Sequence, residues 1–151
     1  MEFELKQKLL DACTEYVNTR IKKIDLAIKD LEDALKLETK CSMGDKYETG
    51  RAMLHLEFEK FSAQHAEYQK LRKTLGMIKT KKLEENVTFG SVVKTRQTNY
   101  FIAIPAGEIS VENEKFYAVG ASAPIARALM GKKRGETVTF NGRELQIKNV
   151  F

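Results

Sequence analysis

Between Leu10 and Leu35, apolar and polar positions alternate in a fixed rhythm. Leu10, Thr14, Val17, Ile21, Ile24, Ile28, Leu31 and Leu35 are separated by steps of four and three, the seam of a coiled coil. A second run keeps the rhythm: Tyr47, Arg51, Leu54, Phe58, Phe61, His65, Tyr68, Arg72 and Leu75. No proline interrupts the chain before Pro105, and the link CSMGDKYETGRA (41–52) between the runs contains two glycines. Two seams joined by a short glycine-containing link predict an antiparallel helical hairpin over residues 1–80, with its tip near 41–48. With residue 44 as the turn, Leu35 should face Leu54, Leu31 should face Phe58, and Ile28 should face Phe61. His65 then falls near Ile24 and is expected to be a half-buried structural residue. At ~1.5 Å per residue, helices of roughly 30 to 36 residues make a hairpin about 45 to 50 Å long. Its far end has no core to serve, which suggests reach.

The period changes after the basic segment Lys79-Thr80-Lys81-Lys82, the expected domain boundary. Val87 to Lys94 and Tyr100 to Ile104 are rich in β-branched and aromatic residues, with a turn at Gln97-Thr98-Asn99. Phe116 to Val119 reads as a third short strand. Thr137 to Ile147 carries Asn141-Gly142 at its centre, the strongest short-range hairpin signal. Between them, Ser122 is expected to cap a short helix running to Met130, with Pro124 in its first turn and Gly131 as its stop. Residues 83–151 thus predict a small antiparallel sheet with one helix, and the whole chain an α+β protein.

Charge narrows the partners without choosing one. The net charge of +5 is spread thinly, with 17 Lys/Arg against 14 Asp/Glu in residues 1–82 and 9 against 7 thereafter. Such an excess permits a nucleic-acid or phosphate partner. No apolar run approaches the ~18 residues of a membrane span. The opening MEFELKQKLL lacks a basic segment followed by an apolar block, so a cytoplasmic protein is expected. Cys13 and Cys41 form no Cys-x-x-Cys pair, and His55 and His65 no metal-binding pair, which argues against zinc. Gly131-Lys132-Lys133-Arg134-Gly135 lacks the spacing of a phosphate-binding loop, and there is no Gly-x-Ser-x-Gly elbow. Independent catalysis is not expected. The short link favours an intramolecular hairpin, hence a monomer.

Pro124-Ile125-Ala126-Arg127-Ala128-Leu129-Met130-Gly131-Lys132, followed by Gly135-Glu136-Thr137-Val138, resembles the C-terminal domain of the bacterial Gre transcript-cleavage factors. Members typically show Ser-Pro-Ile-Ala-Arg or Ser-Pro-Leu-Gly-Arg, then a small-Leu-Leu-Gly-Lys stretch and a strand. The match is tight from about 116 to 142 and architectural from 1 to 80. The resemblance implies a fold like the FK506-binding proteins for 83–151, although such a fold does not make the chain a prolyl isomerase. At the tip, Gly44-Asp45-Lys46-Tyr47-Glu48 keeps the family's Gly-Asp-x-x-Glu frame. The family's next glutamate falls on Arg51, and the serine before its proline on Ala123, with Ser122 one place earlier.

What the resemblance implies is a transcription elongation factor that enters the secondary channel of RNA polymerase. Asp45 and Glu48 would be the catalytic and metal-holding carboxylates, sharing Mg²⁺ with the polymerase to stimulate cleavage of backtracked RNA. The chain would have no cofactor of its own. Lys40, Lys46 and Arg51 would contact the RNA 3′ segment, and Ser122, Pro124 and Ile125 would dock on the polymerase. The residue types suit the task. Mg²⁺ takes hard oxygen ligands, and two-metal hydrolysis stabilises both attacking and leaving oxygens. Two alternatives stand beside this. Asp45 and Glu48 also fit a capping box at the start of the second helix. And Arg51, in place of a carboxylate, suits a regulator that binds RNA polymerase through the same channel without stimulating cleavage.

Overall fold

The computed structural model describes residues 2–40 and 44–151, and their side chains except at 38–40 and 44–48. Helix α1 spans Glu2–Lys40 and α2 spans Gly44–Leu75. Strands β1 (Val92–Thr95), β2 (Asn99–Ala103), β3 (Gly107–Val111) and β4 (Glu114–Gly120) follow, then α3 (Pro124–Leu129), β5 (Thr137–Phe140) and β6 (Arg143–Val150). The chain is α+β. It divides into two compact units, residues 17–72 and residues 1–16 with 73–151.

In the helical unit, burial follows the seam where the seam is apolar. Val17, Ile21 and Ile24 are buried, and Ile28, Leu31 and Leu35 are half-buried. Across on α2, Leu54, Phe58, Phe61, His65 and Tyr68 are half-buried, while Arg51 and Arg72 are exposed. Arg72 Nη2 donates to Asn18 Oδ1 at 2.7 Å, and His65 Nε2 lies 3.0 Å from Asp25 Oδ1. Both pairs are centred on residue 45, so the helices run antiparallel within one position of the register expected from a turn at 44. His65 sits beside Asp25, next to the expected Ile24.

In the second unit the strand order is β3-β4-β2-β1-β6-β5. The sheet is mixed rather than antiparallel throughout: β2 and β4 run parallel, with Phe101 opposite Ala118 and Ile102 opposite Val119. The cause is β3, a strand that the sequence pattern did not announce. It runs antiparallel to β4 at the sheet edge, so β4 returns in the direction of β2. It is exposed at Gly107, Glu108 and Ser110 and only half-buried at Ile109 and Val111, the thinly covered profile of an edge strand. The β3–β4 turn uses Glu112 (φ 53) and Asn113 (φ 64), a mirror-image hairpin turn made without glycine. The Asn141-Gly142 turn, at φ 52 and 75, is the expected one.

Alternation along the strands gives the sheet two apolar faces. One carries Val93, Ile102, Leu145 and Ile147, packed with Val138 and Val87 against Ile125, Ala126 and Leu129 of α3. The other carries Val92, Phe101, Phe116 and Ala118, none more than 2% exposed. The first turns of α1 belong to this unit and contribute buried Leu5, Leu9 and Cys13. They are tied by Glu2 to Asn149 of β6 (3.1 Å) and by Lys8 to Glu112 in the β3–β4 turn (2.7 Å). Leu10 and Thr14, seam positions by the heptad reading, are only half-buried here. At this end α1 serves a sheet, and the stripe Leu5-Leu9-Cys13 replaces the heptad positions.

Gly90 shows how closely the segment before β1 is fitted. Its N–H donates to the Ile102 carbonyl at 2.7 Å, with φ at +89. A Cβ there would stand 3.4 Å from Ile78 Cγ2, whereas at Gly107 (φ +75) nothing lies within 4 Å. The 3.4 Å approach is an ordinary van der Waals contact, so Gly107→Ala and Gly90→Ala are each expected to cost about 1–2 kcal/mol through the backbone. Urea midpoints of the two variants check this.

Candidate functional site

The sequence placed function at two points, the hairpin tip and the start of α3. At the tip, α1 ends at Lys40 and α2 opens at Gly44. Positions 45 and 48 therefore stand one turn apart in the first turn of α2. The side chains of Lys40, Asp45, Lys46 and Glu48 lie outside the described residues, as does Cys41. Arg51, one turn further along α2, is exposed. Among the described residues, no group of three His, Cys, Asp or Glu side chains is placed to hold a metal.

The α3 site is described in full. Its N-cap is Ala123, at φ −62 and ψ 146, with no side-chain hydrogen bond to the helix. Ser122 is therefore not the cap. Proline occupies the first helical position, and the residue before a proline is held extended, so the boundary falls on Ala123. The turn off β4 is closed instead by the backbone, Ala123 N–H donating to the Gly120 carbonyl at 3.1 Å. Arg127 N–H then donates to the Ala123 carbonyl at 2.9 Å. At the far end, Gly131 adopts φ +78 and its N–H donates to the Val87 carbonyl at 2.8 Å, while Val87 N–H donates to the Lys132 carbonyl at 2.8 Å. The helix is thus clamped between β4 and the segment before β1.

This clamping sorts the docking candidates. Ser122 and Pro124 are exposed, while Ile125 is 9% exposed and packs in the core with Leu129. Arg127 and the run Lys132-Lys133-Arg134 are exposed beside them. Arg127 lies one turn after Pro124 on a six-residue helix whose other side is committed to the core. The 3.6 period marks it as outward-facing, a signal present in the sequence but not used there.

Two polar groups of α1 are buried in the sheet unit. Cys13 is fully buried, and that burial pushes its thiol up to about 12. In a Cys41→Ser background, maleimide labelling of the native protein near pH 8 should run on the order of 1000-fold slower than for an exposed cysteine, and become complete in denaturant, since only the thiolate reacts. Lys6 is 2% exposed, and its Nζ donates to the Lys82 carbonyl at 3.3 Å. Burial pulls its ammonium below the ordinary lysine value, and Glu84 partly opposes this. Lys6 was missed in the sequence, although three- and seven-residue steps from it reach Leu9 and Cys13.

No family model matches the chain, and no curated protein does. Among solved structures, that of the transcription factor Gfh1 is similar, with 15% identity over 92% of this chain and 93% of that chain, and a TM-score of 0.39. Likeness at that level carries no function by itself. No helix among the described residues is long and apolar enough to cross a membrane.

Proposed function

We propose that this chain is a Gre-like transcription factor that binds RNA polymerase through its secondary channel and stimulates cleavage of backtracked RNA. The observation that carries the reading is the stretch Pro124 to Lys132, seated on an exposed helix start in a sheet unit that follows a long antiparallel hairpin. In this reading Ser122 and Pro124 meet the polymerase, and Ile125 supports them from the core. Asp45 and Glu48, one turn apart in α2, offer hard oxygen ligands of the kind Mg²⁺ accepts. The ion would be shared with the polymerase and would supply charge stabilisation at the phosphodiester. The protein would be an accessory factor and a monomer, with no catalysis of its own. Lys40, Lys46 and Arg51 would hold RNA phosphates by charge.

One observation favours the second reading, a channel-occupying regulator without cleavage. Arg51 is exposed where the family has a third tip carboxylate. RNA release from backtracked complexes of the cognate polymerase separates the two. The first reading expects RNA shortening above the factor-free rate. Binding to the polymerase with the RNA left intact selects the second, and absence of binding overturns both.

A further inference from the structure

A cavity of about 210 Å³ lies within the sheet unit, against the first turns of α1. Lys6, Lys79, Lys82, Glu84, Thr88 and Gly90 are among the residues that line it. Four of these side chains carry charge: the three lysines are positive and Glu84 negative, which leaves a lining charge of about +2. Lys82 Nζ is 3.2 Å from Glu84 Oε1, and both of those side chains keep contact with solvent. Lys6 differs from them. It is 2% exposed, and among the described residues its ammonium donates to the Lys82 carbonyl at 3.3 Å.

We propose that this cavity binds a phosphate group, with Lys6 at its floor and Lys79 and Lys82 at its rim.

An ammonium has three N–H donors, and burying one with a single neutral acceptor is costly. Glu84 acts on the Lys6 ammonium only partly against its burial and is itself engaged by Lys82, so the positive lining is incompletely balanced. A phosphate dianion matches the lining charge and offers several acceptors to the Lys6 ammonium. The cavity has room for it with some of its water, each water's share of liquid volume being ~30 Å³. Burial pulls the Lys6 ammonium below the ordinary lysine value and Glu84 partly opposes this; a bound dianion would oppose it further. Thr88 also lines the space, and its N–H is already taken by Ser91 Oγ at 2.9 Å. The Gly90 N–H is likewise taken, by the Ile102 carbonyl. Side chains would therefore do the binding. The proposal is independent of any role at the hairpin tip.

The test is titration of inorganic phosphate into the full-length protein, followed by amide and lysine side-chain NMR, with sodium chloride at matched ionic strength as control. Saturable shifts at Lys82, Glu84, Thr88 and Gly90 are expected, together with a shift of the Lys6 side-chain signals. Lys6→Met should weaken phosphate binding at least 10-fold without lowering the melting temperature, because an apolar residue of similar length relieves a buried charge. Should Lys6→Met fail to fold, the double variant Lys79→Gln with Lys82→Gln, altered only at exposed side chains, should weaken binding severalfold. Adenosine monophosphate provides a second arm. Binding of both ligands assigns a phosphomonoester site, and binding of inorganic phosphate alone assigns a free-anion site. Shifts that fail to saturate, that spread evenly over surface lysines, or that persist unchanged in the variants overturn the proposal.

Discussion

In backtracked complexes, Asp45→Asn and Glu48→Gln are each expected to slow RNA shortening by on the order of 100-fold or more while polymerase binding is kept. The magnitude is that of losing one preorganised electrostatic group at a reacting centre. The amides are chosen because the competing role survives them. Asparagine caps a helix about as well as aspartate, and glutamine serves the third helical position of a capping box as glutamate does. A role confined to capping therefore predicts little change in RNA shortening from either variant. A role in holding Mg²⁺ predicts loss, because an amide brings no negative charge to a hard dication. Arg51→Glu tests the same frame from the other side. It restores the acidic residue at the position where the resembling family has one, and under the cleavage reading it should accelerate shortening. If the amides shorten RNA as fast as the unaltered protein does, the carboxylates are not chemical groups, whatever the factor does to the polymerase.

How much of this was legible in the sequence depended on the range of the forces involved. The hairpin was readable because its signal is repeated: Val17, Ile21, Ile24 and their partners on α2 each point to the same face, and the register came out within one position. The Asn141-Gly142 hairpin was readable because positive φ restricts residue choice locally. β3 was not, for the opposite reasons. It lies at a sheet edge, buries none of its residues fully, and is turned by Glu112-Asn113 without glycine. Missing it meant missing the parallel pairing of β2 and β4, which no local pattern encodes. The first turns of α1 failed in a different way. A helix that leaves one partner for another changes its buried stripe, and the sequence does not mark where. Leu5, Lys6, Leu9 and Cys13 serve the sheet unit, so the compact units part inside the helices, while the basic segment 79–82 marks only the change from helix to sheet. At α3, the motif was legible but not the direction of each side chain. Ile125 went to the core because the sheet's Val93–Ile102–Ile147 face needs a cover.

Phe101→Ala is the second large effect expected, and it probes the sheet unit alone. Phe101 is fully buried on β2, whose neighbours on either side are β1 and β4. It stands opposite Val92 on one side and Ala118 on the other. Val92 is also fully buried and Ala118 is 2% exposed, so neither can move into the space that truncation leaves. The loss should be about 3–5 kcal/mol, transfer and cavity together. Against a total of ~5–15 kcal/mol for a typical domain, that is enough to bring the unit near its unfolding midpoint. Tyr117→Ala supplies the control from the neighbouring strand. Tyr117 adjoins Ala118 in sequence but points to the other face of the sheet and is 41% exposed, so its truncation should cost roughly 1 kcal/mol. Urea titrations followed by amide NMR, which reads the sheet residues separately from the helices, measure both. A Phe101→Ala cost below that of Tyr117→Ala would mean that the face bearing Phe101 is not the packed one. A cost in the expected range that appears at the sheet residues and at Leu5, Leu9 and Cys13 together would make those turns part of one cooperative unit with the sheet, the result expected from their place in the same compact unit.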